Sequence, residues 1–246
     1  MGFISDLKIL YHMVCAKNNG VNHEQRLENF YSSQMDHYDD FRRRLLHGRE
    51  QMMGLLPFSK GANLIDMGGG TGHNIEALAP RLNILNSVVI VDLCNSLLNI
   101  AKKRIENKKW GNVSTAHADA TQFKPEFQKA DAITFSYSLT MIPNWFEAIN
   151  HAYSLLKPGG IIGVVDFYVS RKWVSKNNTK HSALTRAFWP NWFAYDNVFL
   201  SQDHLPYLQS KFQALNLIEK KGFVPYMFGL KAPYYIFIGQ KPLESD

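Results

Sequence analysis

The stretch Leu64-Ile65-Asp66-Met67-Gly68-Gly69-Gly70-Thr71-Gly72 is an apolar run that closes on an acidic residue and then on a cluster of glycines. Residues 63–67 read as the end of a buried strand and Thr71-Gly72-His73 opens a helical pattern, so the glycines occupy a strand-to-helix turn. A residue without Cβ lets the backbone press against a ligand while helix N–H groups point at it. The spacing narrows the ligand. A dinucleotide fingerprint needs G-x-G-x-x-G; Gly68 and Gly70 supply its first two glycines, but His73 stands where the third belongs.

Two further carboxylates follow strand-like runs. Val88-Val89-Ile90-Val91-Asp92 is β-branched and ends in an acid roughly 20 residues after the glycines, where a carboxylate accepts hydrogen bonds from both hydroxyls of a ribose. Ala118-Asp119-Ala120 closes a third candidate strand. Each aspartate alone reads equally as a strand-end or cap residue; the three in this order point to a nucleoside site. Asp-x-Gly-Gly-Gly-Thr-Gly resembles motif I of class I methyltransferases. That resemblance implies S-adenosylmethionine as cofactor, S-adenosylhomocysteine as its product, and a site drawn from Asp66, Gly68, Gly69, Gly70, Thr71, Gly72, Asp92, Leu93, Asp119, Ala120 and Ser136, with Asp119 and its neighbouring backbone at the adenine.

The chain has 246 residues with 46% apolar content, enough for one substantial core, and no Pro/Gly/Ser-rich linker divides it. From Leu64 to Phe167 apolar runs alternate with helical patterns: strands at 64–67, 88–93, 113–117, 132–137 and 161–167, helices from Gly72, Asn95 and Pro143. This rhythm predicts an α/β fold with a parallel sheet and helices on both faces. Leu155-Leu156-Lys157-Pro158-Gly159-Gly160 ends a helix and turns into a strand, and residues 217–224 and 234–239 form a closing antiparallel pair. The whole is a Rossmann-like class I methyltransferase fold, a mostly parallel seven-stranded sheet with an antiparallel C-terminal strand. A single domain is expected: a helical lead-in over 1–56, a cofactor core over 57–170, an aromatic insertion over 171–200, and a closing helix and strand pair over 201–246.

The apolar runs are too short to cross a bilayer, and the N-terminus lacks a signal peptide; Asp6 breaks the myristoylation pattern that Met1-Gly2 begins. A cytoplasmic location follows, with peripheral contact at the inner membrane face. Cys15 and Cys94 are too few for a disulfide scaffold and no metal-ligand spacing is present. The net charge of +6 permits nucleic acid, an anionic membrane or an anionic substrate. The basic cluster Lys102, Lys103, Arg104, Lys108 and Lys109 reads as a solvated helix end, so no nucleic-acid partner is expected.

Outside the cofactor loop the resemblance becomes narrower. Phe30-Tyr31, Tyr38-Asp39 through Glu50, Ser136-Tyr137-Ser138-Leu139-Thr140-Met141-Ile142-Pro143, Val164 through Arg171, Phe188-Trp189-Pro190 and Pro233-Tyr234-Tyr235, taken in order, resemble the methyltransferase of betaine-lipid synthesis along nearly the whole chain. That likeness implies conversion of diacylglyceryl-homoserine to diacylglyceryl-N,N,N-trimethylhomoserine, a lipid substrate at a membrane surface, and a partner enzyme that makes the homoserine lipid. A soluble amine or a quinone is the alternative acceptor.

Tyr38 and Arg42, at i,i+4, present a hydroxyl and a cation for the cofactor's carboxylate, with Tyr31 and Arg49 completing the clamp; Arg43 and Arg44 read as a solvated run. Methyl transfer from a sulfonium is an in-line displacement that needs an oriented amine lone pair and no covalent nucleophile. Tyr137, Asp166 and His204 are the catalytic candidates, as orienting or proton-accepting groups. Tyr137, Tyr168, Trp189, Trp192 and Tyr195 are candidates for a cage around the quaternary ammonium, although core packing explains any single ring more often. Arg171 is expected to hold the homoserine carboxylate. Residues 1–14, with Phe3, Ile4, Leu7, Leu10, Tyr11 and Val14 at helical spacing, and residues 182–200 are the two candidate membrane contacts.

Overall fold

The computed structural model describes residues 21–32, 44–195, 197–225, 227 and 229–243, apart from the side chains of Phe30 and Ser32. Residues 1–14, Tyr38 and Arg42 lie outside that set. The sheet contains β1 (Asn63–Met67), β2 (Ser87–Asp92), β3 (Val113–His117), β4 (Ala130–Ser136), β5 (Leu156–Phe167), β6 (Gln213–Phe223) and β7 (Lys231–Gln240), in the order β3-β2-β1-β4-β5-β7-β6. β1 pairs in parallel with β2 and β4, β2 with β3, and β4 with β5, while β7 runs antiparallel to both β5 and β6.

Both faces of the sheet are covered at its centre, which is why β1, β2, β4 and β7 read as near-continuous apolar runs whereas the edge strands β3 and β6 do not. Period-two alternation sends neighbours in a strand to opposite cores: Leu64 and Ile90 pack with Met53, Leu56 and Leu98, whereas Ile65 and Val91 pack with Ile149, Ala152 and Leu208. The first core belongs to α2 (Arg49–Leu55), α3 (His73–Glu76), α4 (Asn95–Lys108) and α6 (Ala183–Ala194); the second belongs to α5 (Trp145–Leu155) and α7 (His204–Lys211). Ahead of α2 lies α1 (His23–Ser32). Gly163 lets α2 approach β5, since a Cβ there would stand 2.9 Å from Leu56 Cδ2.

Two local expectations are adjusted. The helix opening at Gly72 lasts one turn, to Glu76, and continues as a 3-10 segment over Ala79–Ile84, because Pro80 has no N–H for an α-helical bond. The Leu156–Gly160 turn falls within β5: Leu156 pairs with Ala130, the register then shifts, and Ile161 pairs with Ala132. No helix among the described residues is long and apolar enough to cross a membrane.

Sheet order fixes where a ligand sits. The chain leaves β1 towards β2 and β3 and returns to place β4 on the other side, so a crevice opens beyond the carboxyl ends of β1 and β4.

Candidate active site

The crevice is a cavity of about 390 Å³. It is lined by Gly68, Gly69, Gly70 and Thr71 after β1, Asp92 and Leu93 after β2, Asp119 and Ala120 after β3, and Ser136, Tyr137 and Ser138 after β4. Tyr31 of α1 and Arg49 of α2 close its rim. Gly68 and Ser138, 70 positions apart in sequence, thus meet because parallel strands deliver their carboxyl ends to one edge.

The glycine turn has no room for a side chain at its first two positions. Gly68 sits at φ +67°, and a Cβ there would stand 2.4 Å from Ser138 Cβ. A Cβ on Gly69 would lie 2.7 Å from Asp66 Oδ2. The turn is held from below: Gly68 and Gly69 donate N–H bonds to Val91 O at 2.8 and 3.1 Å. Asp92 accepts from Gly70 N through Oδ2 and from Cys94 N through Oδ1, both at 2.8 Å. A carboxylate held at this strand end suits two vicinal hydroxyls of a ligand in the cavity. Asp119 Oδ1 accepts from Thr121 N and Oγ1 at 2.8 and 2.7 Å.

Asp66 and Gly72 do not line the cavity. Asp66 is fully buried beneath the turn, where it accepts from Thr134 Oγ1 at 2.7 Å and Asn74 Nδ2 at 3.1 Å. Burial pushes its pKa up to about 6 against those donors. Gly72 sits close against β2 and α4, since a Cβ there would meet Ile90 Cδ1 at 2.9 Å and Ala101 Cβ at 3.5 Å. Both residues shape the site from outside.

Tyr137 is the aromatic candidate that lines the cavity, on a backbone at φ +54° that side-chain-bearing residues rarely adopt. Its hydroxyl donates to His47 O at 2.6 Å and its ring meets Phe167 edge-on at 4.6 Å. Burial holds that hydroxyl protonated, well above the ordinary tyrosine range, so Tyr137 does not serve as a proton acceptor.

The remaining catalytic and cage candidates lie elsewhere. Asp166 is fully buried and its carboxylate is spent on Thr140 Oγ1 at 2.8 Å, Thr140 N at 3.1 Å and Phe167 N at 2.8 Å; it fixes the loop after β4. His204 is buried against the Trp145 ring at 4.7 Å, and burial drives its pKa down to about 3, which leaves it neutral. Tyr168 donates its hydroxyl to Glu219, Trp189 packs on Phe193 in the core, and Tyr195 is exposed at the end of α6. Arg171 pairs with Asp203 at 2.6 Å, and both line a groove that shares Ile142 and Pro143 with the cavity. These residues do not form a cage, because β5 carries Asp166 and Tyr168 past the crevice and α6 turns Trp189 inward.

The buried carboxylate gives a pH test. Burial raises Asp166 from the ordinary 3.8 to about 7. The folded chain therefore holds a proton that the unfolded chain has released, and this contribution to stability fades as pH rises from about 4 to about 7. Neutral His204 works in the opposite sense below its unfolded pKa, so the comparison must isolate Asp166. Relative to the parent, Asp166→Asn is expected to gain roughly 2–3 kcal/mol between pH 5 and pH 8, several degrees of melting temperature. Scanning calorimetry at both pH values checks it; a difference that does not change with pH contradicts it.

Sequence reasoning missed a wall of the cavity: His23, Arg26 and Leu27 line it from α1, with Tyr31. Leu27 and Tyr31 pack with Cys94, Leu97 and Met141. Glu28 accepts from Ser96 Oγ, from Ser96 N at 3.3 Å and from Cys94 Sγ at 3.2 Å, tying α1 to the start of α4. Burial alone raises the Glu28 pKa, yet the Ser96 and Cys94 donors outweigh it and hold it below the usual range. The three-to-four spacing of His23, Leu27 and Tyr31 was the available signal. Glu28→Ala is expected to weaken S-adenosylhomocysteine binding roughly tenfold, about 1.4 kcal/mol, by loosening this wall. Titration calorimetry reads the change, and an unaltered affinity contradicts it.

Sheet order and glycine cradle together are those of a class I methyltransferase fold. The profile of the ubiE/COQ5 methyltransferase family matches residues 20–199, and the chain belongs to that family. It is 30% identical over 118 residues to the ubiquinone/menaquinone biosynthesis C-methyltransferase UbiE of Hydrogenovibrio crunogenus, covering 48% of this chain and 45% of that protein. It is 25% identical over 142 residues to the demethylmenaquinone methyltransferase of Geobacillus sp., covering 56% of this chain and 61% of that one. The match thus spans about half to three-fifths of these relatives' length. Among solved structures, a phosphoethanolamine N-methyltransferase of Haemonchus contortus superposes with a TM-score of 0.67 at 16% identity, over 91% of this chain and 61% of that one. The YcgJ protein of Bacillus subtilis gives 0.62 at 14% identity, over 81% and 99%. Such distant likenesses carry the fold alone.

Proposed function

We propose that this chain transfers methyl groups from S-adenosylmethionine to the amine of diacylglyceryl-homoserine, ending at diacylglyceryl-N,N,N-trimethylhomoserine. In this reading Asp92 holds the ribose hydroxyls, Asp119 the adenine, and Arg49 with Tyr31 the methionine end. The homoserine lipid is supplied in this reading by a separate enzyme or a fused domain.

The observation that carries a lipid-borne acceptor is a groove of about 850 Å³ that shares Ile142 and Pro143 with the cofactor cavity and reaches Phe199 and Leu200 at its far end. The amine is favoured by the ordered motifs, one of which, Pro233-Tyr234-Tyr235, lies beyond the family match. An amine that arrives with a free lone pair attacks the methyl carbon and sheds its proton to water, with no covalent nucleophile needed.

A second reading has its own support: the family and the relatives named above point to methylation of a quinone ring. Mass spectrometry after incubation with methyl-labelled S-adenosylmethionine separates the two. Increments of one, two and three methyl groups on diacylglyceryl-homoserine, with demethylmenaquinol unmodified, are expected. Methylation of the quinol alone favours the second reading, and equal turnover of free homoserine rejects a lipid-borne acceptor.

A further inference from the structure

We infer that the face built by residues 171–200 docks this chain on an anionic bilayer surface. α6 carries two apolar faces. Trp189 and Phe193 are turned into the core, whereas Leu184, Phe188 and Tyr195, at i, i+4 and i+11, point to solvent; Leu184 is 77% and Tyr195 73% exposed. Trp192, half-buried against the core, stacks on Phe188 at 6.0 Å and backs that outer face. Trp173, also 77% exposed, lies within 5.4 and 5.6 Å of the Lys172 and Lys180 ammonium groups. Large apolar side chains exposed together in one segment mark an interaction site.

Charge identifies the occupant. Residues 171–200 contain five basic residues against one acidic, so +4 of the chain's +6 falls within this segment. Lys172, Lys176 and Lys180 are exposed. Exposed tryptophan beside lysine suits the headgroup layer: the indole takes the interface, the lysine stems lie along it, and each cation contributes about 1 kcal/mol near an anionic leaflet. A protein partner would match the apolar face without requiring the excess cation. The surface is continuous with the acceptor groove, since Phe199 lines that groove and donates its N–H to Thr140 O at 2.8 Å.

The purpose of this docking rests on the lipid-borne acceptor proposed above, but its test needs no substrate. Purified chain is sedimented with vesicles of phosphatidylcholine alone or with one-third phosphatidylglycerol. Binding to the anionic vesicles at least about tenfold tighter than to neutral ones, and weakening with salt, is expected. Leu184→Glu with Phe188→Glu should reduce that binding about tenfold or more with S-adenosylhomocysteine affinity unchanged. Lys172→Glu with Lys176→Glu and Lys180→Glu, all at exposed sites, should do the same. Failure of the parent to sediment, equal binding to both vesicle types, or unchanged binding of both variants overturns the proposal. So does a parent dimer that the Leu184/Phe188 variant splits without any vesicle binding. A chain that docks but leaves homoserine lipid unmethylated refutes the proposed function alone; one that methylates detergent-dispersed lipid without sedimenting refutes the docking alone.

Discussion

Replacing Gly68 by alanine is expected to abolish measurable S-adenosylhomocysteine binding and to lower the melting temperature by about 10 °C, for two causes that add. An L-residue at φ +67° is strained by roughly 1–2 kcal/mol. The new Cβ also meets Ser138 Cβ at 2.4 Å, and that neighbour cannot withdraw, because Ser138 Oγ is bonded to Met67 O at 2.9 Å beside the same turn. Forcing an extra methyl into a packed site costs a further 1–3 kcal/mol. At 2–4 °C per kcal/mol for a chain of this size, the melting shift follows. Calorimetric scanning with and without ligand reads both effects. A Gly68→Ala protein that melts with the parent and binds normally would mean that the turn is not packed as described.

Asp92→Ala is expected to raise the S-adenosylhomocysteine dissociation constant on the order of 100- to 1000-fold with little change in folding. Charged hydrogen bonds to two ribose hydroxyls contribute about 1.5–3 kcal/mol each, and the variant loses both. It also releases Gly70 N and Cys94 N from their acceptor, so the glycine turn loosens. Asp92→Asn keeps one acceptor oxygen and should fall between parent and alanine. The order of the three proteins in a titration checks the assignment; equal affinities would remove Asp92 from the ribose site.

The cofactor half of the site was legible because its signals are local. Glycines in a strand-to-helix turn and an aspartate at a strand end declare themselves within a few residues, and parallel pairing brings such ends to one edge. All seven strands were also readable, since period two and β-branched runs mark them. The acceptor half was not. Tyr168 and Trp189 carry the residue types a cage requires, but side-chain direction is decided by packing: Tyr168 is claimed by Glu219 and Tyr235, and Trp189 by Phe193. Asp166 at a strand end looked like Asp92, yet Thr140 folds over it and buries it. Asp66 shows the converse, a motif residue that supports the turn from beneath without lining the cavity. The wall made by α1 was missed because its docking depends on Glu28 meeting Ser96, a contact between distant segments.

The acceptor assignments all presuppose what the cavity holds, and equilibrium titration of the purified chain tests that most directly. One S-adenosylhomocysteine per chain, with binding lost in Asp92→Ala and no heat from a nicotinamide dinucleotide, is the predicted result. Binding of the dinucleotide with no response to S-adenosylhomocysteine would contradict it.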